Sequence, residues 1–90
     1  MTKKAKVLIV DDDLELLSTM SRYLELKGIE VVTKGSGEEA ANIIETEKFN
    51  LIILDIVLPG ASGIEILKTI KAKKPDQKVI VMTAMLSIEN

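Results

Sequence analysis

Histidine and cysteine are both missing from this chain, and aromatic side chains make up only 2% of it. Without histidine, no Ser-His-Asp or Cys-His nucleophilic scheme can be assembled within these residues. Acid–base or nucleophilic chemistry is left to carboxylates, hydroxyls and lysines. Without cysteine there is no disulfide framework, which fits a reducing compartment. So few aromatics leave the core to Ile, Leu, Val, Met and Ala. No basic stripe with interleaved aromatics is present, and the net charge is -2, which argues against nucleic-acid binding by this segment. The basic start "MTKKAK" is followed by an apolar run, Val7 to Val10, far too short for a signal peptide or a membrane span. These absences describe a soluble, cytoplasmic protein.

What is there is apolar and ordered. The chain is 47% hydrophobic and 29% charged, a globular balance, and its 90 residues suffice for one small domain. Three apolar runs stand out, "VLIV" at 7–10, "LIIL" at 51–54 and "VIVM" at 79–82, with a weaker "IEVVT" at 29–33. They are β-branched and mostly do not alternate, the pattern of strands buried on both faces of a parallel sheet. Between them lie segments of helical spacing. Leu14, Leu17, Tyr23 and Leu24, with Leu16 and Met20 beside them, form one apolar stripe, and Gly28 is placed to end that helix. Ala40, Ala41, Ile43 and Ile44 form a second stripe, and Ile66, Leu67 and Ile70 a third. Ser36 to Glu39 and Ser62 to Glu65 fit the capping-box pattern. Strand and helix therefore alternate, which predicts right-handed crossovers and an α/β sandwich of about four strands and three helices. Ser87 starts a possible fourth helix, and the sequence stops at Asn90.

In open α/β sheets, ligands sit outside the carboxyl ends of the strands. The first run delivers Asp11, Asp12 and Asp13 to that end. The third apolar segment delivers Asp55, and the fourth delivers Thr83 and Ala84. If the first and third are neighbours, several carboxylates share one crevice. Two carboxylates about 4 Å apart repel by roughly 4 kcal/mol at an effective dielectric of about 20. Protonation or a cation relieves such a cluster. Oxygen-only ligands suit a hard ion, Mg²⁺ first. Blander roles stand beside this one. Asp12 can cap the first helix with Glu15 completing a capping box, Asp55 can be a turn residue ahead of Pro59 and Gly60, and Thr83 can be a strand former. One cap does not account for three aspartates. The "GSG" at 35–37 lacks the spacing of a phosphate loop and reads as a connection.

"VLIVDDD", "LDIVLPGASGIEIL" and "VIVMTA", in this order and spacing, resemble the receiver domain of bacterial two-component response regulators over essentially the whole chain. The resemblance implies a flavodoxin-like, doubly wound sheet of strand order 2-1-3-4-5, an order that belongs to the family and is the standing example for it. It implies that Asp55 is the phosphoacceptor, charged from a phosphohistidine on a sensor histidine kinase or phosphotransfer protein. It implies Mg²⁺ held by Asp12 directly, by Asp11 mainly through water, by Asp55 and by the backbone carbonyl of Val57. Thr83 matches the hydroxyl that bonds the phosphoryl group, Ala84 the small residue beside it, and Pro59 and Gly63 shape the loop after the acceptor. Asp13 is left for the helix start. Val57 and Met85 occupy variable neighbouring positions and are apolar, so neither orients an attacking water. Slow self-hydrolysis is expected, and Val57→Asn or Met85→Glu should hasten it.

The family also has a fifth strand ending in a lysine, and further helices. Against that pattern residues 1–90 read as a receiver domain incomplete at the C-terminus, ending at the start of the fourth helix, with impaired activity. Lys78 stands before the fourth strand, at the wrong end to replace the family lysine. Uncovered apolar side chains, each worth roughly 1.5–3 kcal/mol when buried, and an open edge on the fourth strand lead to an expectation of self-association. One enzymatic alternative exists. "VDDDLE" is similar to the haloacid-dehalogenase type of phosphatase, with Asp11 as nucleophile, Asp13 as general acid and Thr83 as the hydroxyl.

Overall fold

A computed structural model describes residues 4–58 and 63–82. Four parallel strands, β1 (Lys6–Val10), β2 (Glu30–Lys34), β3 (Leu51–Asp55) and β4 (Val79–Met82), form one sheet in the order β2-β1-β3-β4. Three helices connect them in turn, α1 (Leu14–Leu26), α2 (Gly37–Thr46) and α3 (Gly63–Lys73). This is the alternating order expected from the apolar runs. The order also places β1 beside β3, with Val10 opposite Leu54, the adjacency that the proposed crevice needs.

Strand alternation divides the core in two. Leu8, Val10, Ile52 and Leu54 point to one face, where Ala40 and Ile44 of α2, Ile66 and Ile70 of α3, and Phe49 close over them. Val7, Ile9 and Ile53 point to the other, against Leu17 of α1. Burial on both faces therefore holds for β1 and for most of β3. It fails on the edges. Ile80, opposite Ile53, is 51% exposed, and Val81 is 38% exposed. Helix α1 leans over β2, so its cover does not extend to Ile80.

The α1 stripe is narrower than its sequence suggests. Leu17, Met20 and Leu24 meet the sheet, at the three- and four-residue spacing of one helical face. Leu16 and Tyr23 fall outside that arc and are exposed, as is Leu14 in the first turn, beyond the end of β1. The helix ends as expected at Gly28, whose φ of 82° is costly for other residues. Its N–H reaches the Glu25 carbonyl while the Ile29 N–H reaches that of Leu24, the paired bonds of a Schellman motif. At α2, Ser36 caps the Glu39 N–H, but Glu39 Oε1 accepts from Gly35 one residue earlier than a strict capping box. Ser62 of the second box lies outside the described residues, as do residues 83–90.

Candidate functional site

Three aspartates meet at the carboxyl end of the sheet. Asp11, Asp12 and Asp55 each offer a carboxylate oxygen, and these oxygens all lie within 4.8 Å of one another. The backbone fixes two of them. The Asp11 N–H donates to the Lys34 carbonyl at 3.1 Å, carrying the β1–β2 ladder one residue past β1. Asp55 is the last residue of β3, in register with Met82, and the next N–H, from Ile56, donates to the Met82 carbonyl at 3.1 Å.

The side chains repeat one motif. Asp11 Oδ1 accepts from the Asp13 N–H at 2.9 Å, and Asp55 Oδ1 accepts from the Val57 N–H at 3.2 Å. In each, the carboxylate bonds the amide two residues on, an Asx turn that starts the connection and fixes the side-chain rotamer. Each keeps its second oxygen without a donor among the described residues. Asp13 plays the other part expected of it. It is the N-cap of α1 and accepts from the Glu15 and Leu16 N–H groups. Asp12 does not cap the helix. It is exposed and turned to the cluster.

Asp11 and Asp55 are buried, at 4% and 7% exposure. No lysine or arginine pairs with them, since the ion pairs among the described residues, Lys6–Glu47 and Lys73–Glu45, involve neither. Burial pushes the Asp11 carboxyl above the usual carboxylate range. The Asp13 amide opposes that rise, and the charges of Asp55, Asp12 and Asp13 add to it. A crowded, largely buried, all-oxygen donor set with no counterion among the described residues fits a hard divalent cation such as Mg²⁺.

Gly63 acts through space rather than charge. Its N–H donates to the Ile56 carbonyl at 2.8 Å. A Cβ at this position would strike the Asp55 carbonyl and lie 2.6 Å from Ile56 Cα. Gly63 is the first residue of α3, and the start of that helix can approach the end of β3 only with glycine there. The carbonyl assigned to Val57 belongs to the turn that the Asp55 side chain initiates. Pro59, Thr83, Ala84 and Met85 lie outside the described residues. Lys78 stands at the amino end of β4, where its carbonyl accepts from the Ile52 N–H, and so at the far end of the sheet from Asp55.

The apolar surface near the site extends beyond Val57, to residues whose exposure the apolar pattern does not single out. Leu14 and Ile64, in the first turns of α1 and α3, and Val57, in the turn after Asp55, are 74%, 42% and 58% exposed and leave apolar surface there. Leu14 belongs to the apolar stripe of α1 in sequence, yet it is exposed. Its position directly after the cap Asp13 was the available signal, because a first turn overhangs the strand ends.

The response regulator receiver domain family model matches residues 7–90. The alkaline phosphatase synthesis transcriptional regulatory protein PhoP of Bacillus subtilis is 39% identical over 79 residues, which cover 88% of this chain and 33% of that protein. Among solved structures, the response regulator TrrA of Thermotoga maritima in complex with Mg²⁺–BeF superposes with a TM-score of 0.85 at 38% identity, covering 89% of this chain and 70% of that one. TrrA in complex with the histidine kinase ThkA superposes with a TM-score of 0.86 at 35% identity, over 96% of this chain and 74% of the other. The chain thus spans about a third of that curated relative. The match does not favour the phosphatase alternative, whose general acid, Asp13, is engaged as a helix cap. With its flavodoxin-like sheet order and its acidic pocket, this chain belongs to the response regulator receiver domain family.

Proposed function

We propose that the chain is the phosphoacceptor module of a two-component signalling protein, and that Asp55 is the acceptor. The observation that carries this reading is the convergence of Asp11, Asp12 and Asp55 at one strand end. The donor is a phosphohistidine on a sensor histidine kinase or phosphotransfer protein, which suits a chain with no histidine of its own. A carboxylate oxygen of Asp55 attacks phosphorus, the P–O bond forms, and the P–N bond to the donor imidazole breaks. Asp11, Asp12, Asp55 and the Val57 carbonyl would hold Mg²⁺, which supplies neutralisation of charge on the phosphoryl oxygens. Asp11 and Asp12 hold that charge balance, and the Val57 N–H steadies one oxygen of Asp55 so that the other is presented. Thr83 and Ala84 receive the phosphoryl group, and Pro59 and Gly63 shape the loop.

The module is a signalling element. Its own chemistry is limited to weak self-phosphorylation from small donors and slow hydrolysis. The exposed, apolar Val57 supports the slow hydrolysis, since it cannot orient water. The apolar surface of Leu14, Val57 and Ile64 around charged chemistry suits contact with a protein partner. No described helix is long and apolar enough to cross a membrane, and we place the module in the cytoplasm. Taken alone, the 90-residue chain self-associates through β4, where Ile80 and Val81 are exposed.

Intact mass after incubation with Mg²⁺ and a small-molecule phosphodonor tests the acceptor, with Asp55→Asn beside it. A phosphate adduct on the parent alone supports the assignment. An adduct on both puts the nucleophile elsewhere, and an adduct on neither removes self-phosphorylation from the reading. Sedimentation velocity tests self-association, and a monomer at high concentration overturns it.

A further inference from the structure

The amino ends of the four strands gather the opposite charge. Because the strands are parallel, this pole lies a strand length, roughly 16 Å for five residues, from the aspartates. Two clefts open on it. One, about 530 Å³, lies between the connections that precede β3 and β4 and is lined by Lys48, Lys74 and Lys78, with Asp76 the single carboxylate. The other, about 520 Å³, is lined by Lys4, Lys6 and Lys48, with Glu30 the single carboxylate. Lys48 and Asn50 border both, so the clefts are continuous.

The fold uses some of these lysines internally. Lys74 Nζ donates to the Ile44 and Glu47 carbonyls at the end of α2. Lys6 pairs with Glu47 and sits over the Phe49 ring. Lys71 Nζ holds the 75–77 turn by bonding the Pro75 and Gln77 carbonyls. Lys4, Lys48 and Lys78 are exposed and have no partner among the described residues. Asn50 Oδ1 is engaged by the Lys6 N–H at 2.7 Å, which leaves its amide hydrogens to donate outward.

We propose that this pole is a docking surface for an acidic segment of a partner protein, running through both clefts across Lys48. Charge complementarity sets the sign of the occupant. The interspersed Glu30 and Asp76 choose its class. A nucleic acid presents a phosphate at every nucleotide and meets both carboxylates, whereas an extended peptide can place its acids on alternate residues, about 6–7 Å apart on one face, between them. Asn50 supplies a donor suited to a peptide carbonyl. The distance from Asp55 lets this partner bind while the acceptor site remains open to another.

The test is fluorescence anisotropy of a labelled peptide of alternating Glu and Ser, long enough to span both clefts, titrated with the full chain. Binding is expected at low salt, with weakening as ionic strength rises. The Lys48→Glu/Lys78→Glu double variant should weaken it about tenfold, with an unchanged circular dichroism spectrum and an unchanged Asp55 adduct. Asp76→Lys should tighten it several-fold. Three results overturn the proposal. These are no binding at low salt, equal binding by the double variant or by a Gln–Ser peptide, and tighter binding of a single-stranded oligonucleotide or anionic vesicles than of the peptide.

Discussion

The two ends of this sheet are built by the same strands and solve opposite problems. At the amino end, lysines reach carbonyls and a carboxylate of the fold itself. Lys74 closes the end of α2, and Lys6 pairs with Glu47. At the carboxyl end, three aspartates share a crevice to which no described residue supplies a cation. The amino end is neutralised only in part from within, with Lys4, Lys48 and Lys78 left over, whereas the carboxyl end has no counterion among the described residues. The difference teaches that charge left without a partner is the more telling mark of function, because folding alone does not favour it.

That contrast can be broken most severely at Gly63. Gly63→Ala drives a methyl into the Asp55 and Ile56 backbone and should cost about 3 kcal/mol. Urea denaturation should show the loss, together with failure of the Asp55 adduct. Removing the cation comes next. At a Mg²⁺ concentration about 100 times its dissociation constant, thermal melts should show roughly 2.7 kcal/mol of stabilisation that EDTA abolishes. Asp12→Asn should lose most of that gain. Lys74→Met attacks the other end and should cost about 1.5 kcal/mol, the loss of charged bonds to α2 carbonyls. It should leave the Mg²⁺ gain intact, which separates the two ends.

The smallest effect concerns pH. Burial and neighbouring charge raise the Asp11 carboxyl in the folded state. Without metal, the folded chain then binds more protons than the unfolded chain in the window above the ordinary carboxylate value. Stability falls as pH rises through that window. Asp11→Asn should remove this dependence and raise metal-free stability at neutral pH by less than about 1 kcal/mol, since the Asp13 amide offsets part of the burial. Melts across mildly acidic to neutral pH, in EDTA, check both.

Much of this is legible in the sequence. The β-branched runs gave the strands, and a carboxylate at the end of a buried run marked Asp55. Three acids in succession could not all be caps, and the structure divides them as read, Asp13 to the helix and Asp11 and Asp12 to the cluster. The illegible part was lateral reach. Leucines at 14 and 16 look like core, yet only the arc of Leu17, Met20 and Leu24 meets strands. Residues such as Ile80 read as buried because periodicity says nothing about how far a helix extends over a sheet. The Lys74 cap also escaped notice, because its partners lie about thirty residues away in sequence and no local pattern encodes such a bond.

The Asp11–Asp55 meeting has a kinetic consequence. The aspartates sit on neighbouring strands separated in sequence by two helices and β2. No local segment can assemble them. The crevice exists only after the long-range β1–β3 pairing closes, the kind of contact that slows folding. Cation binding would therefore report that closure. Mg²⁺ added during refolding should slow unfolding and leave the folding rate nearly unchanged if the pairing forms after the transition state.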